Sequence, residues 1–328
     1  MRTSLTAFDQ IKSQSQFEAN ALKLFQYQYQ QNPVYRSYCD LINVASSDVK
    51  KVTSIPFLPI QFFKSHTVSS QPNSATHIFT SSKTTGQVAS KHHVHHIDLY
   101  IKSFEKGFQF FYGNIEDYIL LALLPSYKEQ GNSSLIFMAN HLIQKTKHPQ
   151  SGFYLENWDT LTTTLQQLER QEEKKIILLG VTYSLLNGAE KQKLNLKHTL
   201  IMETGGMKGM RKEWVRSALH EKLQEGYGAS KIHSEYGMTE LMSQAYSKGE
   251  GRFYCPPWMQ VLTRSAEDPF ELIGTGKTGG LNIIDLANVD SCAFIATQDL
   301  GKTNDDGSFE VLGRFDAAEI RGCNLLVV

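Results

Sequence analysis

The chain has 328 residues, of which 41% are hydrophobic and 20% charged, enough for one large domain or two ordinary ones with cores of their own. The chain has 33 Lys plus Arg residues and 33 Asp plus Glu residues, so its formal net charge is zero. It therefore lacks the excess of positive charge that would predict binding to nucleic acid or to an acidic membrane. The N-terminus lacks the apolar segment of a secretory signal, and the four cysteines are too widely spread for a zinc site or a disulfide framework, which predicts a cytoplasmic protein.

The first 70 residues are predicted to be helical and then irregular. One face of the first helix carries three apolar residues and a glutamine: Phe17, Ala21, Leu24 and Gln28. Pro33 is expected to end this helix, because proline cannot continue it. The segment 54–60 contains two prolines and is predicted to be an extended connection.

From about residue 75, short apolar strands alternate with amphipathic helices. Strands are predicted at 77–80, 118–124, 175–179, 199–203 and 231–235. Helices are predicted at 97–111, 135–143, 159–173 with Asp159 as the cap, and 211–223. The run Tyr118–Pro125 is too short to span a bilayer. This alternation predicts a parallel, doubly wound α/β sheet, whose ligands lie where loops leave the carboxyl ends of strands.

After about residue 250 the pattern changes to short strands and tight turns. Asn304-Asp-Asp-Gly307 predicts a hairpin between Ile295 and Val311. We therefore expect a helical N-terminal region packed on the core (residues 1–70), an α/β core (71–250) and a small β subdomain that ends in a cysteine-containing tail (251–328).

The loop from Thr80 to Lys91 follows a predicted strand directly. It contains several hydroxyl side chains, a glycine and two lysines. Backbone N–H groups and hydroxyls in such a loop can surround phosphate oxygens, and lysine adds positive charge. By composition alone, an ordinary polar loop is the alternative.

A second glycine-rich segment, Gly274-Thr-Gly-Lys-Thr278, resembles the end of a P-loop. However, Glu271 stands where a P-loop has its first glycine, and a strand rather than a helix is predicted to follow. We therefore expect a turn into a hairpin.

Two further elements carry groups suited to a nucleotide. In Tyr236-Gly-Met-Thr-Glu240 the tyrosine has a flat face for a base, and the Thr and Glu have oxygen ligands that Mg²⁺ accepts. Thr297-Gln-Asp299 and then Gly313-Arg314 offer a carboxylate for ribose hydroxyls and a guanidinium for bidentate contacts. Each is unremarkable alone, since Glu240 also fits a solvated surface and Asp299 a turn.

Taken in order, these elements resemble the motifs of the acyl- and aryl-adenylate-forming superfamily. That superfamily has a Ser/Thr/Gly-rich phosphate loop, Tyr-Gly-x-Thr-Glu, Thr-Gly-Asp and Gly-Arg-x-Asp. The chain is more closely similar to the acyl-protein synthetases of bacterial luciferase operons, the fatty-acid-activating subunits of fatty acid reductase complexes. Three features carry this closer resemblance: the short length, Glu203-Thr-Gly-Gly-Met-Lys-Gly, and the ending Ala318-Glu-Ile-Arg-Gly-Cys-Asn-Leu-Leu.

The resemblance implies an ATP-dependent ligase that uses Mg²⁺ and activates a small-molecule carboxylic acid, expected to be a fatty acid, with a protein as acyl acceptor. It assigns Lys91, Thr239 and Glu240 to catalysis, with Glu240 also on Mg²⁺. It assigns an acyl-accepting thiol to Cys323. It assigns ATP binding to a larger set: Thr80, Ser81, Ser82, Thr84, Thr85, Gly86, Gly205, Gly206, Tyr236, Gly237, Asp299 and Arg314.

The chain departs from the superfamily pattern in three ways. Lys83 replaces a glycine in the phosphate loop, and Gln298 replaces the glycine of Thr-Gly-Asp. The C-terminal lid domain, which brings a catalytic lysine and forms the coenzyme A channel, is expected to be missing. The alternatives are therefore an acyl- or aryl-CoA ligase or an adenylating amide synthetase without a lid, and a catalytically inactive nucleotide-binding subunit, which Lys83 favours.

Two other features have plainer interpretations. The run His92-His-Val-His-His96 is predicted to be part of the strand or turn before the next helix rather than a metal site. The aromatic face at Phe104–Phe111 is predicted to belong to the core, with an acyl tunnel as the alternative.

Overall fold

The computed structural model of the protein describes residues 5–71, 75–81, 88–125, 131–155, 157–171, 174–205 and 214–314. The chain divides into two compact units, one made of residues 1–74 and 257–328 and the other of residues 75–256. In the part of the chain described, none of the helices combines the length and hydropathy that crossing a bilayer requires. The predicted boundaries at residues 70 and 250 stay predictions.

The helices are α1 Gln14–Gln31, α2 Pro33–Leu41, α3 Phe62–Ser65, α4 Ile97–Tyr112, α5 Ser134–Thr146, α6 Trp158–Gln171, α7 Thr182–Lys191 and α8 Arg216–Tyr227. The strands are β1 Leu58–Pro59, β2 His77–Thr80, β3 Lys91–Val94, β4 Tyr118–Leu123, β5 Gly152–Phe153, β6 Lys175–Val181, β7 Thr199–Thr204, β8 Ile232–Tyr236, β9 Ala245–Ser247, β10 Arg252–Phe253, β11 Met259–Arg264, β12 Leu272–Ile273, β13 Gly279–Asp285, β14 Phe294–Thr303 and β15 Phe309–Arg314.

Pro33 separates two helices rather than only ending one. Helix α1 stops at Gln31, and Pro33 is the first residue of α2, where its missing N–H costs no hydrogen bond. Asn32 caps α2, since its Oδ1 accepts from the backbone N–H of Tyr35 at 3.1 Å. The predicted break is therefore confirmed, and the chain resumes a helix directly after it.

Gln28 on α1 connects this helix by hydrogen bonds to residues 288–293, within the unit made of residues 1–74 and 257–328. Its Nε2 donates to the backbone oxygens of Asn288 at 2.7 Å and Val289 at 2.9 Å, and its Oε1 accepts from the N–H of Ala293 at 2.9 Å. Gln28 is fully buried. Because these backbone groups are also out of water, one amide satisfies three groups that would otherwise be costly to bury.

The sheet of the same unit is mostly antiparallel. β11 pairs with β12 and β13, β13 with β14, and β14 with β15, while β1 runs parallel to β14. The predicted hairpin is confirmed: the N–H of Asn304 donates to the oxygen of Ser308 at 2.8 Å, and Gly307 takes the positive φ of +80° that the turn requires. The segment Gly274–Thr278 leads from β12 into β13, a turn as expected.

The other unit contains the predicted doubly wound sheet. Its strand order is β5-β4-β6-β7-β8-β9, and only β9 runs antiparallel to its neighbour. One face packs Ile119, Ile176 and Ile201 against apolar residues of α6, α7 and α8. On the other face, Leu120 and Ile177 line a cavity together with residues of α4 and α5. Helices on both faces explain why these strands are almost continuously apolar.

Two predicted helix starts are corrected. The Oδ1 of Asn157 accepts from the N–H of Thr160 at 3.2 Å, so Asn157 rather than Asp159 caps α6, and Asp159 lies in its first turn. Helix α8 begins at Arg216; of the predicted helix 211–223, residues 211–213 lie outside the described part of the chain.

The loop after Thr80 also differs from the expectation. β2 pairs antiparallel with β3, separately from the parallel sheet, so the loop connects the two strands of a hairpin and does not leave the end of a parallel strand. The histidine run forms the second strand as far as Val94, and α4 starts at Ile97.

We expect Gln28→Met to lower the free energy of unfolding by about 3 kcal/mol, since it leaves three buried backbone groups without their partner. Urea denaturation followed by circular dichroism measures this. The exposed residue Gln30 on the same helix provides the control, and Gln30→Met should stay within about 0.5 kcal/mol of wild type. Equal effects of the two substitutions would contradict the anchoring role.

Candidate active site

The β2–β3 hairpin holds both ends of the predicted phosphate loop. Thr80 lies opposite Lys91 in the ladder. The N–H of Ser81 donates to the oxygen of Ser90 at 3.2 Å, and the N–H of Ser90 donates to Oγ of Ser81 at 3.0 Å. The N–H of Thr80 also donates to the oxygen of Asn132 at 2.8 Å. The exposed Lys91 therefore stands at the mouth of a loop whose two ends are fixed.

The loop itself lies outside the described residues, which stop at Ser81 and resume at Val88. The predictions for Ser82, Thr84, Thr85 and Gly86, and the question of Lys83, therefore stay predictions.

His92 connects the hairpin to the Tyr236–Glu240 segment. Its Nδ1 lies 2.8 Å from the backbone oxygen of Thr239. Because a carbonyl oxygen only accepts, Nδ1 carries the proton and donates. His92 is buried and adjacent to Lys91 in β3. The strand that carries Lys91 is thus connected to the Thr239–Glu240 segment, through a histidine that was predicted only to be part of a strand or turn.

Gly205 and Tyr236 lie at the ends of neighbouring parallel strands. In the β7–β8 register Thr204 is opposite Glu235, and the Thr204 hydroxyl donates to that carboxylate. Gly205 follows directly, with a φ of +76°, a conformation that favours glycine. Gly206 lies outside the described residues.

The segment after β8 is closely packed. The ring of Tyr236 is buried, with its centroid 5.8 Å from that of Phe253 at an interplanar angle of 61°. A Cβ on Gly237 would lie 2.5 Å from Oε1 of Glu235, so a side chain there would displace a buried carboxylate. Glu240 is buried and Thr239 half-buried.

An ion pair that sequence reasoning missed joins the buried Glu203 of β7 to the half-buried Arg216 at the start of α8. Nη1 of Arg216 donates to Oε1 of Glu203, and the Thr182 hydroxyl donates to Oε2 at 2.8 Å. Nε2 of His220 lies 3.7 Å from Oε1. Burial by itself would raise the pKa of Glu203, but the nearby His220 imidazole and the Arg216 guanidinium outweigh it and lower the pKa to about 2. In the sequence, this pair was indicated by a single glutamate in an otherwise apolar predicted strand.

Asp299 and Arg314 belong to the other unit, where they lie opposite each other on two adjacent strands. They are register partners in the β14–β15 ladder, and the N–H of Asp299 donates to Oγ1 of Thr297 at 3.1 Å. The buried Arg264 donates from Nη2 to the backbone oxygen of Thr297 at 2.6 Å. The strand that carries Asp299 is therefore held by a second arginine that the sequence analysis did not single out.

The donor set fits a magnesium ion that arrives with a nucleotide. Mg²⁺ is usually bound through one or two carboxylates together with substrate phosphates, and Glu240 provides one carboxylate. Within the described ranges, no group of three or more His, Cys, Asp or Glu residues is arranged to hold a metal ion on its own. The assignment of Glu240 to Mg²⁺ stays a prediction.

Comparison with known sequences decides the family. The family model described as acyl-protein synthetase, LuxE, matches residues 5–328. The chain belongs to the LuxE family. A long-chain-fatty-acid–luciferin-component ligase from Vibrio harveyi is 23% identical to this LuxE-family chain over 339 residues, which cover 96% of the chain and 88% of the relative.

Solved structures share the fold. An open conformation of 2-hydroxyisobutyryl-CoA ligase, in complex with 2-HIB-AMP and CoA, matches with a TM-score of 0.61 and 13% identity, over 92% of this chain and 70% of that one. ATP-bound MatB from Rhodopseudomonas palustris matches with a TM-score of 0.52 and 16% identity over 72% of this chain. The LuxE-family chain spans about half (47%) of the MatB chain.

Three predictions are confirmed by these comparisons: the acyl-protein synthetase family, the α/β fold of adenylate-forming enzymes, and the class of enzyme, an ATP-dependent ligase. The roles of individual residues stay predictions.

We expect Glu203→Gln to lower the free energy of unfolding near neutral pH by about 3 kcal/mol, because it leaves Arg216 without its buried partner. The folded-state pKa of about 2 lies below the ordinary 4.5, so the carboxylate's contribution is fully present above about pH 4.5 and is lost as the pH falls towards 2. Wild type should therefore lose more stability over this interval than the variant.

Chemical denaturation at a series of pH values measures the difference. The exposed residue Glu221 on α8 gives the matched control, and Glu221→Gln should follow the wild-type curve within about 0.5 kcal/mol. Parallel curves for Glu203→Gln and wild type would rule out a depressed pKa at Glu203.

Proposed function

We propose that this chain uses ATP to convert a carboxylic acid into an acyl-adenylate and then transfers the acyl group to a partner protein. The observation that carries the proposal is the hydrogen bond from His92 to Thr239. In a member of the LuxE family, it connects the strand that carries Lys91, at one end of the predicted phosphate loop, to the Thr239–Glu240 segment. The Vibrio harveyi relative, a ligase of a long-chain fatty acid and a luciferin component, supports an acid substrate, and the description of the family as acyl-protein synthetases supports a protein acceptor.

The first half-reaction is limited by charge rather than by proton transfer. A carboxylic acid with a pKa near 4 is already ionised at neutral pH, so no general base is needed. One carboxylate oxygen bonds to the α-phosphorus, the bond from that phosphorus to the bridging oxygen breaks, and pyrophosphate leaves with its electron pair. Lys91 and the N–H groups of the loop lower the cost of bringing two anions together. Glu240, together with the phosphates, would hold Mg²⁺, which would supply further positive charge.

Recognition of the adenine is proposed to take place at the end of the parallel sheet. Tyr236 stacks on the adenine beside Gly205, and Gly237 keeps the backbone free of a side chain at that point. The contacts with ribose and nucleotide that the resemblance implies for Asp299 and Arg314, which belong to the other unit, stay predictions.

The cavity between the sheet and helices α4 and α5 has room for about one water molecule, so it belongs to the core and does not hold an acyl chain. Its lining is apolar except for Glu235 and Tyr246: Phe108, Leu120, Met138, Leu142, Ile177, Leu179 and Met202. Of the aromatic face at Phe104–Phe111, Phe108 lines this cavity, whereas Phe104 is fully buried against Tyr100.

The second half-reaction needs a thiol, and two cysteines are poorly suited to it. Burial raises the pKa of Cys39 to about 12 and raises that of Cys292 even further, so neither forms a thiolate readily. Cys255 is half-buried, and Cys323 lies outside the described residues. We propose that the Cys323 thiolate attacks the acyl carbonyl carbon, that AMP leaves, and that the thioester then transfers the acyl group to the acceptor protein.

Hydroxylamine trapping tests the first half-reaction. With ATP, Mg²⁺ and a panel of fatty and aromatic acids, wild type should form a hydroxamate, and Lys91→Met should slow this by about a hundredfold because a charge on the phosphates is lost. Lys106→Met, at an exposed lysine of α4, is the control and should keep the wild-type rate. Absence of hydroxamate with every acid would leave the inactive nucleotide-binding subunit as the better account.

Acyl transfer tests Cys323. Cys323→Ser should still form the acyl-adenylate but should not retain labelled acyl groups as a hydroxylamine-sensitive thioester, whereas Cys255→Ser should retain them. A serine variant that passes acyl groups on at the wild-type rate refutes the thioester step. Consumption of the adenylate by coenzyme A alone would favour the acyl-CoA ligase alternative.

A further inference from the structure

The Glu203–Arg216 ion pair lies on the same face of the sheet as the proposed adenine site. In the β7–β8 ladder Glu203 is opposite Ser234. Residues two apart on a strand point to the same face, so Glu203 shares its face with Gly205, and Ser234 shares its face with Tyr236. The ion pair therefore lies one step inward from the two residues that flank the adenine in the proposed function.

Arg216 reaches both of these strands and also an aromatic ring. Its Nη1 donates to Glu203 and lies 3.4 Å from Oγ of Ser234. Its guanidinium carbon is 5.0 Å from the centroid of the Phe253 ring, a distance typical of a cation–π contact. Phe253 is buried and in turn packs on Tyr236. A continuous series of contacts thus runs from Glu203 through Arg216 and Phe253 to Tyr236.

The backbone around Phe253 leaves this ring little freedom. Tyr254 exchanges two backbone hydrogen bonds with Tyr246, of 3.1 and 2.9 Å. A Cβ on Gly251 would lie 2.9 Å from Cδ of Arg216, so the arginine's aliphatic stem packs directly on the backbone just before β10. The guanidinium is consequently held by Glu203 on one side and by the chain leading to Phe253 on the other.

We propose that Arg216 and Glu203 are positioning residues for nucleotide binding: Glu203 fixes the guanidinium against Phe253, and Phe253 fixes the ring of Tyr236 in the orientation that stacks on adenine. This inference rests on the proposed function, since it takes Tyr236 as the stacking residue. A ring that is already oriented loses less conformational entropy when the nucleotide binds. This series of contacts therefore affects the affinity for ATP and not the rate of the chemical step.

The two contacts of Arg216 can be separated by substitution. Arg216→Lys keeps a positive charge near Glu203 but lacks the flat guanidinium that lies over a ring. Phe253→Leu keeps the apolar volume but removes the ring, and Phe253→Tyr restores a ring. Lys222→Met, at a half-buried position of the same helix outside this series of contacts, is the control.

Hydroxamate formation at varied ATP concentration provides the test, with thermal unfolding measured in parallel. Arg216→Lys and Phe253→Leu should each raise KM for ATP by about fivefold to tenfold and leave kcat within about twofold, since the stacking contact is the one affected. Phe253→Tyr and Lys222→Met should have wild-type KM. The double variant should be no worse than Phe253→Leu alone, because both substitutions interrupt the same series of contacts.

Three results would overturn the inference: a fall in kcat with KM unchanged, which marks a purely structural role; additive effects in the double variant; or no rescue by Phe253→Tyr. Failure of the proposed function gives a different result, because then wild type itself forms no hydroxamate.

Discussion

The register between β7 and β8 is the constraint on which the candidate site depends. With Thr204 opposite Glu235, Gly205 and Tyr236 reach the end of the sheet on neighbouring strands. The same register puts Glu203 opposite Ser234, one step inward. Because the side-chain period of a strand is two residues, a shift of one residue would turn Tyr236 to the other face and separate it from the ion pair. The apolar residues on both faces of the sheet make such a shift costly.

The charged residues of the α/β unit have two different roles, which follow from their exposure. Lys91 stands at an exposed loop mouth, where a phosphate can reach it. Glu203, in contrast, is buried, and its pKa is low because His220 and Arg216 outweigh the effect of burial. An exposed cation suits a substrate that enters and leaves, whereas an ion pair with a buried carboxylate suits a permanent support. His92 donates to the backbone oxygen of Thr239, the residue before the glutamate predicted to bind Mg²⁺.

The sequence predicted most of the architecture and little of what holds the site together. Strands such as Tyr118–Leu123 and the Asn304–Gly307 hairpin follow from local apolar runs and turn residues. The pairing of Thr80 with Lys91 was missed because a histidine-rich strand has no apolar periodicity. Arg216 and Glu203 were missed because their contact depends on the sheet register, which no local pattern reveals. The motifs identified the family, but Gln28, His92 and Arg264 emerged only from three-dimensional packing.

The central claim is that the chain forms an acyl-adenylate and releases pyrophosphate. Exchange of labelled pyrophosphate into ATP tests this most directly, because exchange requires the adenylation step to run in both directions and needs no acceptor protein. The account predicts exchange that depends on an added carboxylic acid and on Mg²⁺, and that is absent without the acid. ATP hydrolysis to ADP and phosphate, with no acid-dependent exchange for any straight-chain or aromatic acid, would contradict it.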